Sequence, residues 1–200
     1  MCGMTRKEDI AYAAFLGVDA IGLIFSTQSP RVITISQAKI ILSNLPPFLD
    51  VVAVLVDPSP VLVDEIINEL PIGFLQFHGE ESAEFCNQFS KPYIKAMQVN
   101  PEAAIYEYAE AYQHASAILL DTPSATSHGG TGNTFDWKLI PSNLAKPLIL
   151  AGGLKTANVK MAVDKGSPYA VDVCSGIEAS PGIKDHEKMK QFVDALWGKK

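Results

Sequence analysis

Leu148-Ile149-Leu150-Ala151-Gly152-Gly153-Leu154 is an apolar run that opens directly into two glycines, and Val171-Asp172-Val173-Cys174-Ser175-Gly176 repeats the arrangement further along. A short, near-continuous run of Val, Ile and Leu reads as a strand covered on both faces, which is how a parallel sheet is written in sequence. Working outward, runs of the same kind stand at 20–25, 51–56, 73–77, 93–99 and 117–120, and with 148–151 and 170–173 they make seven. Between them lie stretches of helical spacing at 5–16, 36–45, 59–70, 82–89, 101–112, 156–165 and 185–196, with a short turn from Asp136. Thr5-x-x-Glu8 reads as a capping box, and Ser59-Pro60 and Asn100-Pro101 each set an N-cap residue before a proline at the first helical position. Strand and helix alternate throughout, with no linker or charge block between units.

Eight helices against seven strands leave one strand missing. It should precede the first helix, where only Met1 stands before Cys2. A doubly wound open sheet tolerates seven strands, but it usually carries its phosphate loop after the first. Here the glycine clusters follow late strands, as they do in a barrel whose phosphate site lies after strands seven and eight. The reading is therefore α/β, a single (βα)8 TIM-barrel domain over residues 1–200 with strand one largely missing at the N-terminus.

Composition narrows the function. The 200 residues are 48% hydrophobic and 19% charged, with a formal net charge of −6. A chain of this length buries a sizeable core, and the charge lacks the basic excess that a nucleic-acid partner requires. No apolar run approaches a membrane span, and the N-terminus has no signal-peptide core, so the expected location is cytoplasmic. Cys2, Cys86 and Cys174 are odd in number and match no zinc spacing, so neither a disulfide framework nor a metal site is expected.

In a barrel the active site is built at the C-terminal ends of the strands. The residues there are Cys2, Ser26, Asp57, His78, Gln98, Asp121, Gly152-Gly153 and Cys174-Ser175-Gly176. Gly152, Gly153, Ser175 and Gly176 are candidates for holding a phosphate on backbone N–H groups, the alternative being plain turn residues. Asp121 ends the run Ala117-Ile118-Leu119-Leu120 ahead of the loop Gly129-Gly130-Thr131-Gly132, which delivers an acid to a ligand site. Cys2 stands just before a helix start, where the helix dipole can favour the thiolate. Cys86 falls inside a helix and Cys174 at a strand end, and both read as inert buried thiols.

With Cys2-Gly3-x-Thr5, Gln76-x-His78-Gly79-Glu80, Leu120-Asp121-Thr122, Gly129-Gly130-Thr131-Gly132, Phe135-Asp136-Trp137, Ala151-Gly152-Gly153-Leu154, Val171-Asp172-Val173-x-Ser175-Gly176-x-Glu178 and Pro181-Gly182-x-Lys184-Asp185 in order, the chain resembles the phosphoribosylanthranilate isomerase family over practically its whole length. The resemblance implies an isomerase of the aldose–ketose type in tryptophan biosynthesis. It would carry out the Amadori rearrangement of N-(5′-phosphoribosyl)anthranilate to 1-(o-carboxyphenylamino)-1-deoxyribulose 5-phosphate. No metal or organic cofactor is implied, the partner is a small phosphoribosyl substrate, and family members occur as monomer or homodimer. The match assigns Asp121 as general acid, Cys2 as general base and Arg31 to the anthranilate carboxylate. It makes Asp172 an orienting group and His78 a hydrogen-bonded strand-end residue.

Two positions depart from the family pattern. Asn133 stands where lysine is common, and the strand with a Lys-Ile type ending that normally precedes the first cysteine is lacking. The expectation is that neighbouring backbone edges are left unpaired and apolar positions unfilled, and that the natural protein begins several residues earlier, which the nucleotides upstream of Met1 would test. The rival readings are a ribulose-phosphate epimerase, which would want metal-ligand histidines where only His78 is placed, and an indole-glycerol-phosphate synthase, for which Lys95 is the one central lysine. A phosphate-ligand-binding barrel inactivated by truncation is the non-enzymatic alternative.

Overall fold

The computed structural model describes residues 1–98, 105–121 and 144–198. Residues 122–143, with the Gly129-Gly130-Thr131-Gly132 motif, Asn133, the Phe135-Asp136-Trp137 motif and the turn expected from Asp136, lie outside the described residues, as does the cap expected at Asn100-Pro101. Seven parallel strands pair in chain order: β1 (Ala20–Ile24), β2 (Asp50–Leu55), β3 (Phe74–Phe77), β4 (Tyr93–Gln98), β5 (Ala117–Asp121), β6 (Leu148–Leu150) and β7 (Ala170–Val171). The helices are α1 (Lys7–Phe15), α2 (Ile35–Ile41), α3 (Pro60–Glu69), α4 (Ala83–Asn87), α5 (Ile105–Ala111), α6 (Val159–Gly166) and α7 (His186–Trp197).

Every strand run read from the sequence is a strand; β2 to β5 bury both faces in different cores, while the two residues of β7 are half-buried. Val52, Val54, Ile94, Ala96, Ala117 and Leu119 fill the barrel interior with Cys2 and Ala151. The alternate residues Val51, Ala53, Leu55, Leu75, Phe77, Ile118 and Leu120 pack outward under the helices. This period of two decides which polar residues can reach the barrel mouth. Asp121 follows Ala117 and Leu119 on the inner face. Lys95, between Ile94 and Ala96, points outward instead; fully buried, its Nζ donates to Glu81 Oε2 (2.9 Å) and to the Gly79 and Phe77 carbonyls. The lysine is central in sequence but belongs to the outer layer, which removes the acid–base role the synthase reading needed.

The missing strand is replaced by a stub. The Met1 ammonium donates to the Ala20 carbonyl (2.9 Å), Gly22 N–H to Met1 C=O (2.9 Å) and Met4 N–H to Gly22 C=O (3.0 Å), while on the other side Cys2 N–H donates to Val173 C=O (2.9 Å). A regular parallel ladder would have residue 3 donate to Gly22. Gly3 instead turns through φ +72° and inserts one extra residue, a bulge. Residues 1–4 thus occupy the eighth position of a (βα)8 barrel, bonded to the edge of β1 expected to be bare and, through Cys2, to Val173 just beyond β7. The apolar gap is present lower down: a cleft lined by Met1, Val18, Tyr169, Val171, Phe192 and Trp197 lies at the opposite end from the strand-end residues.

Local signals succeed where the partner is close in sequence. Ser59 caps α3 by accepting from Leu62 N–H (3.3 Å), with Pro60 in the first turn. The Thr5–Glu8 capping box does not form. Arg6 is the N-cap of α1 but its side chain does not cap the helix, and the Thr5 hydroxyl donates to the Gly182 carbonyl in the turn between β8 (Glu178–Ser180) and β9 (Ile183–Lys184). That hairpin had no counterpart in the strand reading, because its strands are too short to show a pattern.

Candidate active site

The C-terminal ends of the strands surround a cleft of about 940 Å³, open mouth included. Cys2, Arg31, Asp121, Gly152, Gly153, Asp172 and Ser175 all line it, arriving from the stub, the loop after β1, the end of β5, and the segments after β6 and β7. Gly152 and Gly153 both take left-handed backbone conformations (φ +79° and +62°), turning the chain sharply at the end of β6. Gly176 does not line the cleft. A Cβ there would run into the Leu154 carbonyl oxygen, so its part is to let the two glycine segments pack backbone to backbone.

Asp121 is buried, and its Oδ2 lies 3.3 Å from His78 Nε2, while His78 Nδ1 is 3.1 Å from Gln76 Oε1. Gln76 and His78 share the inner face of one strand end, as their spacing of two implies. An imidazole that donates Nδ1–H to the amide oxygen turns its Nε2 toward the carboxyl group of Asp121. Sequence reading placed His78 at a strand end but did not place it on Asp121.

Arg31 is already engaged. Its Nε and Nη2 donate to Glu178 Oε1 (2.8 Å) and Oε2 (2.6 Å), and Lys184 Nζ donates to the same Oε1 (2.9 Å). Burial pushes the Glu178 carboxyl up, but the Arg31 and Lys184 contacts outweigh it and hold the group below the usual carboxylate range. Glu178 has no role in the sequence reading; its position after the late glycine segment is the one signal that points to it.

Cys2 departs from expectation. Its thiol lies well above an ordinary cysteine because it donates a hydrogen bond to Cys174, with burial and the Asp172 carboxylate adding to the effect. The helix-dipole argument for a depressed thiol therefore loses to the neighbouring sulfur. Cys174 is not the inert strand-end thiol the sequence suggested. It is half-buried, lines the cleft and is held below an ordinary thiol by the bond it accepts from Cys2, against burial, with Lys184 and Arg31 assisting.

This arrangement has close relatives. Residues 1–195 match the profile of the family described as N-(5'phosphoribosyl)anthranilate (PRA) isomerase. An N-(5'-phosphoribosyl)anthranilate isomerase of Legionella pneumophila (strain Lens) is 60% identical over 198 residues, covering 99% of this chain and 96% of the relative. The crystal structure of the phosphoribosyl anthranilate isomerase from Thermotoga maritima superposes with a TM-score of 0.92 at 39% identity, covering 99% of this chain and 97% of that one. A second solved isomerase, in complex with reduced 1-(o-carboxyphenylamino)-1-deoxyribulose 5-phosphate, gives a TM-score of 0.87 at 37% identity, covering 98% and 96%. On the profile match and on identity sustained from end to end, the chain belongs to the N-(5'-phosphoribosyl)anthranilate isomerase family.

Proposed function

We propose that this protein is a cytoplasmic, single-domain isomerase of tryptophan biosynthesis that converts N-(5′-phosphoribosyl)anthranilate to 1-(o-carboxyphenylamino)-1-deoxyribulose 5-phosphate. The observation that carries the residue roles is that Cys2 and Asp121, from separated positions around the barrel, line one cleft whose rim is the Gly152–Gly153 turn and Ser175. Asp121, set beside His78, protonates the furanose ring oxygen as the general acid. The C1′–O bond then breaks as the anilinic nitrogen pair forms a C1′=N iminium. Cys2 as thiolate removes the proton from C2′, and the C–H electrons become the C1′=C2′ bond that neutralises the iminium. Tautomerisation gives the ketone at C2′. The positive charge of the iminium favours thiolate at a cysteine whose resting proton is otherwise held.

The phosphate rests against backbone N–H groups of the two glycine segments, where left-handed turns and the absence of side chains allow close approach. Arg31 keeps its Nε edge on Glu178 and offers the Nη1 end to the anthranilate carboxylate, while Asp172 orients a ribose hydroxyl.

The test follows loss of phosphoribosylanthranilate fluorescence. The wild-type protein turns substrate over, and Cys2→Ser and Asp121→Asn each lower kcat by about 10²-fold or more, the range of a positioned acid or base. Near-wild-type turnover by either variant removes that residue from its role. Substrate binding without turnover by the wild type overturns the enzymatic reading.

A further inference from the structure

Of the three cysteines, Cys86 sits in α4 fully buried, its thiol pushed up to about 12 chiefly by burial. The other two meet at the active site. Cys2 N–H donates to Val173 C=O at 2.9 Å, which ties residue 2 beside the residue preceding Cys174. From the other side the stub is tied to β1 through Gly22 and Ala20, so Cys2 is held in place rather than left on a loose terminus. The Cys174 sulfur lies so close to the stub that a Cβ on Gly3 would stand 3.0 Å from it, and the two thiols share a hydrogen bond. Lys184 Nζ approaches Cys174 Sγ to 3.9 Å and its carbonyl oxygen to 3.2 Å, itself anchored by Glu178.

We propose that Cys2 and Cys174 are a redox-active dithiol, which hydrogen peroxide or a low-molecular-weight disulfide converts to an intramolecular disulfide in the cleft and which thiol reductants restore. Cys174 is the half-buried, cation-flanked partner on the cleft wall, and it meets the oxidant first. Its thiolate attacks one peroxide oxygen, the O–O bond breaks, and a sulfenic acid forms with loss of hydroxide. The Cys2 sulfur, losing its proton, then attacks that sulfur, the S–O bond breaks and a second hydroxide leaves. The two thiol protons convert both hydroxides to water, so two thiols are oxidised by two electrons and one peroxide is reduced. With a disulfide oxidant, two exchanges release two molecules of the small thiol. Cys2 is bonded through its N–H to the carbonyl of Val173, the residue before Cys174, and both side chains line the same cleft, so closing to the S–S distance of ~2.05 Å asks for side-chain rotation and not for a new backbone path. Loss of activity on oxidation rests on the reading of Cys2 as the base; disulfide formation does not.

The experiment treats the reduced full-length protein with hydrogen peroxide or oxidised glutathione, then alkylates under denaturing conditions and maps peptides by mass spectrometry. A Cys2–Cys174 linked peptide, lighter by two hydrogens than the sum of its parts, is expected, with Cys86 alkylated. Turnover is expected to fall by about 10²-fold, the contribution of a positioned base, and to return with dithiothreitol. Cys174→Ser and Cys174→Ala, each measured against its own reduced rate, retain turnover under the same exposure. Absence of the linked peptide overturns the proposal, as does reversible inactivation of both Cys174 variants equal to that of the wild type. A linked peptide with unchanged turnover upholds the disulfide and instead overturns the base assignment of Cys2.

Discussion

Gly22→Ala is the sharpest test of how the base is held. Gly22 lies in β1, buried, with its N–H and C=O both bonded to the stub. A Cβ there would stand 2.8 Å from Cys2 Sγ and 3.2 Å from both its Cα and its Cβ. Carbon and sulfur atoms rest at about 3.5–4.0 Å, so the sulfur must retreat by about 1 Å and the backbone of residue 2 by about half that. Rotating the thiol cannot relieve the backbone contact, and the bond to Val173 resists moving the stub. A displacement of about 1 Å at a reacting group costs up to 10²-fold, so kcat should fall by roughly 10- to 100-fold with KM little changed. Overpacking adds about 1–3 kcal/mol of destabilisation, read by urea unfolding. Gly73→Ala is the matched control: its Cβ would crowd the exposed Asp50 carboxylate (2.7 Å to Oδ1), a side-chain end that can swing away at the opposite end of the barrel, and would stand at an ordinary 3.7 Å from the Val51 carbonyl oxygen. Progress curves giving Gly22→Ala a kcat within twofold of Gly73→Ala, both folded, would refute the reasoning that Cys2 acts from this position.

Further outcomes follow from the same contacts. The Cys2 thiol lies above its ordinary value of 9.0, first because of its bond to Cys174, so kcat/KM of the wild type should keep rising as pH climbs past that value. Cys174→Ala removes the largest cause and should move the rise to lower pH; superimposable profiles would contradict this. Arg31→Met should raise KM and also cost about 2 kcal/mol, because buried Glu178 keeps only Lys184 and the Gly182 N–H, both on Oε1, and its Oε2 loses the guanidinium. A stability loss with KM unchanged would leave Arg31 a purely structural role. Lys95→Met strips the cation from a pair whose side chains are 0% and 2% exposed and should cost about 3–5 kcal/mol in urea unfolding. A loss below about 1 kcal/mol would mean that Glu81 is satisfied by backbone N–H groups alone.

The strands and helices were legible because their causes are short-range. The run at 117–120 is β5 nearly to the residue, and Ser59 caps α3 through a partner three residues away. The strand-end rule likewise brought nine of its eleven residues to one cleft, all but Asp57 and Gly176. It failed for Gly176, because lining a cavity and letting two loops touch look alike in sequence. The Thr5 capping box failed because a carbonyl 177 residues away offered the hydroxyl a better place.

By itself the sequence determined a parallel α/β barrel with Cys2 and Asp121 at strand ends, since burial on both faces and the period of two are written along the chain. Only the tertiary structure decided that a four-residue stub with a bulge at Gly3 takes the eighth position, that His78 meets Asp121, that Glu178 occupies Arg31, and that Cys174 shares the cleft wall with Cys2. Those are contacts between segments far apart in the chain, and they exist only once the barrel brings its first residues against β7.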